Sequence, residues 1–354
     1  MTTPRNPRTL DEHADAEALR DVNDRLSRQL DSERRRTTAL VAALREGAHD
    51  ALAGLRLAPV PKPKLAKYKA GVDDETAVVL YSDMQLGKVT PSYTSDIAAE
   101  RSLRYARKVQ LLTDIQRSAH PVTSCRVYFM GDEVEGEFNF PHQPHQLDAS
   151  LLMQLKNGVK IHAEFLRSML ATFEQVHVVG VIGNHGRIGS KSQCVNPESN
   201  SDRMLYEWTR DKLAGEPRLT WNIPYERNER AWYAVDYPCE DQPGGGEGPG
   251  FLIFHGDQIP GGANYSDGTL ARHIFGWASG AVREPFEYTV NGHHHRPRSF
   301  RFNRFRGWGN GSFESTNTFA QERLAAVGFP EQFLLFCHKK RGVTAEYLVA
   351  LGED

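Results

Sequence analysis

Residues Asn291 to Pro297 read NGHHHRP, directly after the apolar and β-branched lead-in FEYTV. A solvated surface has little reason to gather imidazoles, and a core rarely satisfies three of them. Their meaning depends on what the rest of the chain brings to them. Working outward, four other short β-branched runs also close on a polar cluster: TAVVLYSD, SCRVYFMGD, VHVVGVIGNH and FLIFHGD. Helical stretches lie between them, among them Ser102 to Ser118 and Leu151 to Ala171. Strands alternating with helices, with polar groups at the strand ends, predict an α/β domain.

The polar clusters supply Asp83 and Gln85 in SDMQLGK, Asp132 in GDEVEGE, Asn184 and His185 in GNHGR, His255 in HGD, and His293 and His295 in GHHH. Taken singly, each has an ordinary explanation as a helix cap, a turn residue or a surface histidine. Taken together, oxygen donors and imidazoles arriving one or two at a time from successive strand ends suit a two-metal hydrolytic centre. Alternation along a strand points residues i and i+2 the same way. Asp83 is therefore expected beside Gln85 and His293 beside His295, with His294 turned away.

The motif order D-x-(H/Q), GD, GNH, H and GHxH, running from Thr76 to the NGS at Asn310–Ser312, resembles the calcineurin-like metallophosphoesterases. That resemblance implies an α/β sandwich of two mixed β-sheets flanked by helices, with a dinuclear centre at the strand ends. It places Asp83, Gln85 and His295 on a first metal and Asn184, His255 and His293 on a second. Asp132 would bridge both, with a water or hydroxide between the cations as nucleophile. His185 would stand beside the phosphate, to stabilise charge or protonate the leaving oxygen. The implied cofactors are two divalent ions, Mn²⁺ foremost, with Mg²⁺, Fe and Zn²⁺ as alternatives. Two positions depart from the pattern. Gln85 stands where the family more often has histidine, and a neutral amide is the weaker ligand. Gly186 and Arg187 follow GNH where an acid is common, so either Asp257 or Glu135 orients His185, or its pKa is tuned differently; alternatively, Arg187 contacts a substrate phosphate.

Among these enzymes the opening YSD-x-QLGK, the GD-x-VEGE and the GNHGR resemble most the SbcD-type repair nucleases in the versions encoded by actinobacterial phages. This implies a Mn²⁺-dependent DNA endo/exonuclease. The stretch HRPRSFRFNRFRGWGNGSF carries Arg296, Arg298, Arg301, Arg304 and Arg306 among Phe300, Phe302, Phe305 and Trp308. It suits either a nucleic-acid backbone with unstacked bases or an amphipathic strand with a buried aromatic face. Arg187 and Lys191, in GRIGSKSQ, either line a groove or belong to a plain polar loop. The short stretch after NGSF leaves an ATPase partner doubtful. A phosphoesterase acting on a nucleotide, cyclic nucleotide or phosphoprotein is the alternative enzyme, and a non-catalytic protein that kept the fold is the remaining one.

Composition bounds these readings. The 354 residues carry a formal net charge of −2, so no overall basic field advertises nucleic acid and any DNA must meet a local patch. The N-terminus lacks the apolar core of a signal peptide, and no run of about 18 apolar residues occurs. A soluble cytoplasmic protein without a membrane partner is expected, in the host cytoplasm if phage-encoded. Residues 1–57 read as a helical segment, with Leu19, Val22, Leu26 and Leu30 on one face. This is either a solvated helix or an arm for a homodimer. Residues 58–75, opening with APVPKPK, read as a stiff linker, and 76–354 as the catalytic domain.

Overall fold

A computed structural model describes residues 10–52, 57–65, 74–137, 139, 143–188, 199–224, 231–239, 248–260, 265–316 and 327–352. The chain divides into two compact units, Met1–Gly47 and Ala48–Asp354. The first is built on α1 (Leu10–Leu52), one continuous helix of 43 residues. No proline interrupts it, and the stripe of Leu19, Val22, Leu26 and Leu30 is exposed. Among the described residues no helix is long and apolar enough to cross a membrane.

The second unit runs β1 (Glu75–Tyr81), α2 (Ser95–Gln116), β2 (Val122–Phe129), α3 (Leu151–Thr172), β3 (Gln175–Gly180), α4 (Ser201–Lys212) and β4 (Leu219–Asn222). It continues with β5 (Tyr233–Asp236), β6 (Phe251–Phe254), α5 (Asp267–Gly276), β7 (Tyr288–Asn291), β8 (Arg298–Phe302), β9 (Phe305–Gly309), β10 (Glu331–His338) and β11 (Gly342–Ala350). These strands form two mixed sheets, ordered β11-β10-β1-β2-β3-β4 and β5-β6-β7-β9-β8. Helices flank the pair, as the motif order led us to expect.

The layering follows from residue alternation. β1, β2 and β3 are covered on both faces, which is why they read as near-continuous apolar runs. One set of side chains, including Ala77, Val79, Tyr81, Val127 and Phe129, packs with Tyr105 and Val109 of α2 and with Phe165, Leu166 and Met169 of α3. The alternate set, Val78, Leu80, Tyr128, Val179 and Val181, meets Phe251, Ile253, Val290 and Trp308 of the second sheet. Behind that sheet, Leu252 and Phe254 pack with Leu270, Ile274 and Trp277. Each of these large side chains contributes about 1.5–3 kcal/mol on burial.

The proline-rich stretch is neither helix nor strand over residues 57–65 and lies along the domain, and residues 66–73 of the predicted linker lie outside the described residues. Ala58 O accepts from Arg167 Nη1 at 2.6 Å, and Val60 O accepts from Arg218 Nη2 at 2.8 Å. Val60 N donates to Glu216 Oε1 at 2.5 Å.

What positions the site is strand direction. β1, β2 and β3 run parallel to one another, and so do β6 and β7. The loops after all five strands therefore leave from strand carboxyl ends, the edge where open α/β sheets place their ligands.

Candidate metal centre

Those loops carry Asp83 after β1, Asp132 after β2, Asn184 and His185 after β3, His255 after β6, and His293 and His295 after β7. Asp83, Gln85, Asp132, His293 and His295 all adopt positive φ, between 45° and 71°. Non-glycine residues rarely occupy this left-handed region, and its cost is met by the surrounding packing. β1 and β7 have already ended at these positions, so strand alternation does not set where these side chains point: His293 meets His255, and His295 meets Asp83.

Two glycines explain how the loops come so close. A Cβ on Gly183 would overlap Oδ1 of Asp132, and one on Gly292 would overlap Oδ2 of Asp83. The glycines of GNH and GHHH are thus demanded by the Asp132 and Asp83 carboxylates lying against the backbone. Asp202, fully buried at the start of α4, ties the GD and GN loops together. It accepts from the backbone N–H of Asp132 and Glu133 at 3.0 Å each and of Gly183 at 2.8 Å. Nothing in the motif pattern singled out Asp202; its only sequence signal is a Ser-Asn-Ser-Asp run suited to a helix start.

One group of donors is well formed. His255 Nε2 lies 3.0 Å from Asp132 Oδ2, 3.1 Å from Asn184 Oδ1 and 3.2 Å from His293 Nδ1. Donor atoms of Asp132, His255 and His293 all lie within 4.8 Å of one another. His255 Nδ1 is 2.8 Å from the carbonyl of Met130, so the other nitrogen is the one presented. A carboxylate, an amide oxygen and two imidazoles fit a divalent cation. Burial pulls His255 down, but Asp132 beside it more than offsets this and holds it at about 10. Asp132, though buried, is held well below the carboxylate range by His255 and His185.

The second group contains Asp83 and His295, with His295 Nε2 3.1 Å from Asp83 Oδ1. His295 Nδ1 is 2.6 Å from Glu314 Oε1, the carboxylate–imidazole pairing that orients a metal-binding histidine. Burial lowers His295, while Glu314 and Asp83 raise it to about 10. Gln85 departs from its expected role. Its Nε2, not its oxygen, faces the centre, 3.4 Å from Nε2 of both His185 and His295.

His185 stands beside these groups. Its backbone N–H donates to Asp132 Oδ1 at 2.7 Å, and its Nε2 lies 4.0 Å from Asp132 Oδ2. Of the two acids considered for it, Glu135 is the partner, with Oε2 3.1 Å from Nδ1. Burial depresses His185, but Glu135 and then Asp132 raise it to about 9. Asp257 instead pairs with Arg187. His294 turns away to Tyr265, ring centroids 4.2 Å apart.

The basic stretch is mostly structural. Trp308 and Phe305 are buried, and Phe300 and Phe302 pack on the cluster behind the second sheet. Arg306 bonds Glu346 at 2.8 Å. Arg298 bonds Asp267 at 2.9 Å and lies 4.4 Å from the Tyr265 ring centroid. Arg296, Arg301 and Arg304 are exposed. Lys191 lies outside the described residues.

No family model matches the sequence, and no curated protein matches it either. Solved structures are similar to this chain at low identity. Vps29 of Entamoeba histolytica in complex with Zn²⁺ is 11% identical, with a TM-score of 0.34 over 78% of this chain and 99% of that one. Vacuolar protein sorting 29 of Cryptosporidium parvum is 13% identical, with a TM-score of 0.34 over 78% and 100%. An archaeal phosphodiesterase is 12% identical, with a TM-score of 0.32 over 77% and 99%. Likeness at this level assigns the chain neither a family nor an activity.

Proposed function

We propose that this protein is a divalent-metal-dependent phosphoesterase that hydrolyses phosphodiesters, with DNA as its substrate. The observation that carries the reading is convergence. Asp132, Asn184, His255 and His293, from four separate loops, aim donor atoms at one point, with Asp83 and His295 alongside.

Asp132, Asn184, His255 and His293 would hold one cation, and Asp83, His295 and Asp132 would bound a second position. When bound, such cations would neutralise phosphate oxygens and make a nucleophile available at neutral pH. Mn²⁺ is the ion proposed for this oxygen-and-imidazole donor set. His185 supplies the proton. Glu135 takes up its Nδ1 side, leaving Nε2–H to donate to the leaving oxygen. Arg187, Arg296 and Arg298 are proposed to meet flanking phosphates, Arg187 by exchanging Asp257 for the substrate.

A second reading is a small phosphoester substrate. It is favoured by the burial of Phe305 and Trp308, which removes part of the aromatic platform that unstacked bases would use.

The test is a Mn²⁺-supplemented assay of wild type and Asp132→Asn on labelled single- and double-stranded DNA and on bis-p-nitrophenyl phosphate, at low and moderate salt. DNA cleavage that is lost in the variant and falls with salt supports the nuclease. Cleavage of the small ester with DNA intact moves the reading to a small substrate. No hydrolysis of any of them overturns both.

A further inference from the structure

The Asp83 and His295 side of the centre contains a cation of the protein's own. Lys88 Nζ lies 2.6 Å from Glu314 Oε2, with its side chain only 16% exposed. The same nitrogen lies 2.7 Å from Gln85 Oε1. An ammonium has donors and no acceptor, so it requires the oxygen of the Gln85 amide. The amide NH₂ is then what faces the centre, towards His185 and His295. Turned the other way, it would set NH₂ against NH₃⁺ in a buried site and lose the Lys88 bond. An amide nitrogen, its lone pair delocalised into the carbonyl, is no ligand for a divalent ion.

Glu314 locks this arrangement. Its other oxygen takes His295 Nδ1, so one buried carboxylate both orients His295 and anchors Lys88. Lys88 cannot swing out without leaving that carboxylate half-compensated, which is costly in a buried position. By contrast, among the described residues the Asp132 group contains no cationic side chain that competes for its amide. Asn184 Oδ1 points at His255 Nε2.

We infer that Lys88, by taking the amide oxygen, keeps Gln85 from acting as a metal ligand, so that the two metal positions are unequal. The position made by Asp132, Asn184, His255 and His293 holds a divalent ion tightly. The position made by Asp83 and His295, one protein donor short, holds its ion weakly. The inference rests on the reading of this cluster as a metal centre. Lys88 is a positioning residue here, acting through Gln85.

The experiment is a Mn²⁺ titration of metal-free, full-length protein. Bound metal is counted by equilibrium dialysis, and spin coupling is followed by electron paramagnetic resonance. Wild type is expected to bind one Mn²⁺ tightly and a second more weakly by a factor on the order of 10 to 100, with the coupled signal arising only at the second step. In Lys88→Met the amide is free to turn its oxygen inward, and the weak step tightens by a factor on the order of 10. In a Gln85→Ala background the same Lys88→Met change is expected to do far less, because no amide remains to turn. Equal tightening in both backgrounds would show that loss of positive charge acts alone, and would overturn the link between Lys88 and Gln85.

Gln85→Ala provides a reading that does not depend on Lys88→Met folding. Removing a group that is not a ligand leaves the weak step where it was, and a marked loosening would overturn the inference. Two equally tight Mn²⁺ ions in wild type would overturn the inequality while leaving the metal centre standing. No bound Mn²⁺ in folded wild type would remove the metal centre itself, and the inference with it.

Discussion

Replacing Glu135 by glutamine keeps an oxygen within reach of His185 Nδ1 but removes the charge. The structure sets the size of the effect in metal-free protein. His185 is held at about 9 against an ordinary value of 6.5. At 1.36 kcal/mol per pKa unit, the imidazolium is favoured by about 3 kcal/mol. Its three main influences are burial, which disfavours the charge, and Glu135 and Asp132, which favour it. Glu135 is the nearer acid, 3.1 Å from a ring nitrogen against 4.0 Å for Asp132. A pair at such range is worth about 4 kcal/mol at an effective dielectric near 20, enough to account for the whole preference. In Glu135→Gln, His185 is therefore expected to titrate at or below 6.5.

Histidine ring-proton NMR on metal-free protein reads this directly. Stability supplies a second measure. A raised histidine contributes stability that is full below its unfolded value and lost as pH rises through its folded value. The wild-type contribution is thus complete near pH 6 and gone above about 9. The urea-denaturation deficit of the variant should be largest near pH 6, at about 3 kcal/mol, and should shrink by pH 9.5. A His185 resonance that still titrates near 9, or a deficit independent of pH, refutes the role given to Glu135.

Gly183→Ala and Gly292→Ala drive a methyl into the carboxylates of Asp132 and Asp83 respectively. Each should cost about 1–3 kcal/mol by thermal melting and reduce bound Mn²⁺, and unchanged metal content would contradict the packing argument. Asp202→Asn exchanges a charged acceptor of three backbone N–H groups for an amide, with an expected loss of about 3 kcal/mol in urea denaturation. A loss under about 0.5 kcal/mol, the range of ordinary surface changes, would show that the loops do not need it. His255 and His295, both held at about 10 in metal-free protein, must shed protons to bind an ion. Mn²⁺ uptake at pH 7 should release protons, and apparent affinity should rise with pH; calorimetry in two buffers of different ionisation enthalpy measures this, and no release would refute it.

Much of the centre is legible along the chain because each strand end is local. A β-branched run closing on GD, GNH or GHHH states both where the strand stops and which donors follow it. The parallel direction of β1, β2 and β3 then brings Asp83, Asp132 and Asn184 to one edge. The arginine-rich stretch is the opposite case. Its spacing is the same whether Phe300 and Phe302 stack on bases or on the domain's own aromatic cluster, and only packing chose the second.

The sequence by itself determined the alternation of strands and helices, the helical character of the N-terminal segment and the identity of the polar residues closing each strand. These follow from periodicity and from β-branched and helix-forming side chains, which act over a few residues. Tertiary structure alone decided which partner each of those residues meets. Glu135 rather than Asp257 reaches His185, Asp202 arrives from α4 to hold two loops, and Lys88 takes the oxygen of Gln85. Such choices depend on left-handed turns, glycine close approaches and the competition of buried charges for a few acceptors. These are differences of a few kcal/mol between groups far apart in the chain, and no local pattern of residues encodes them.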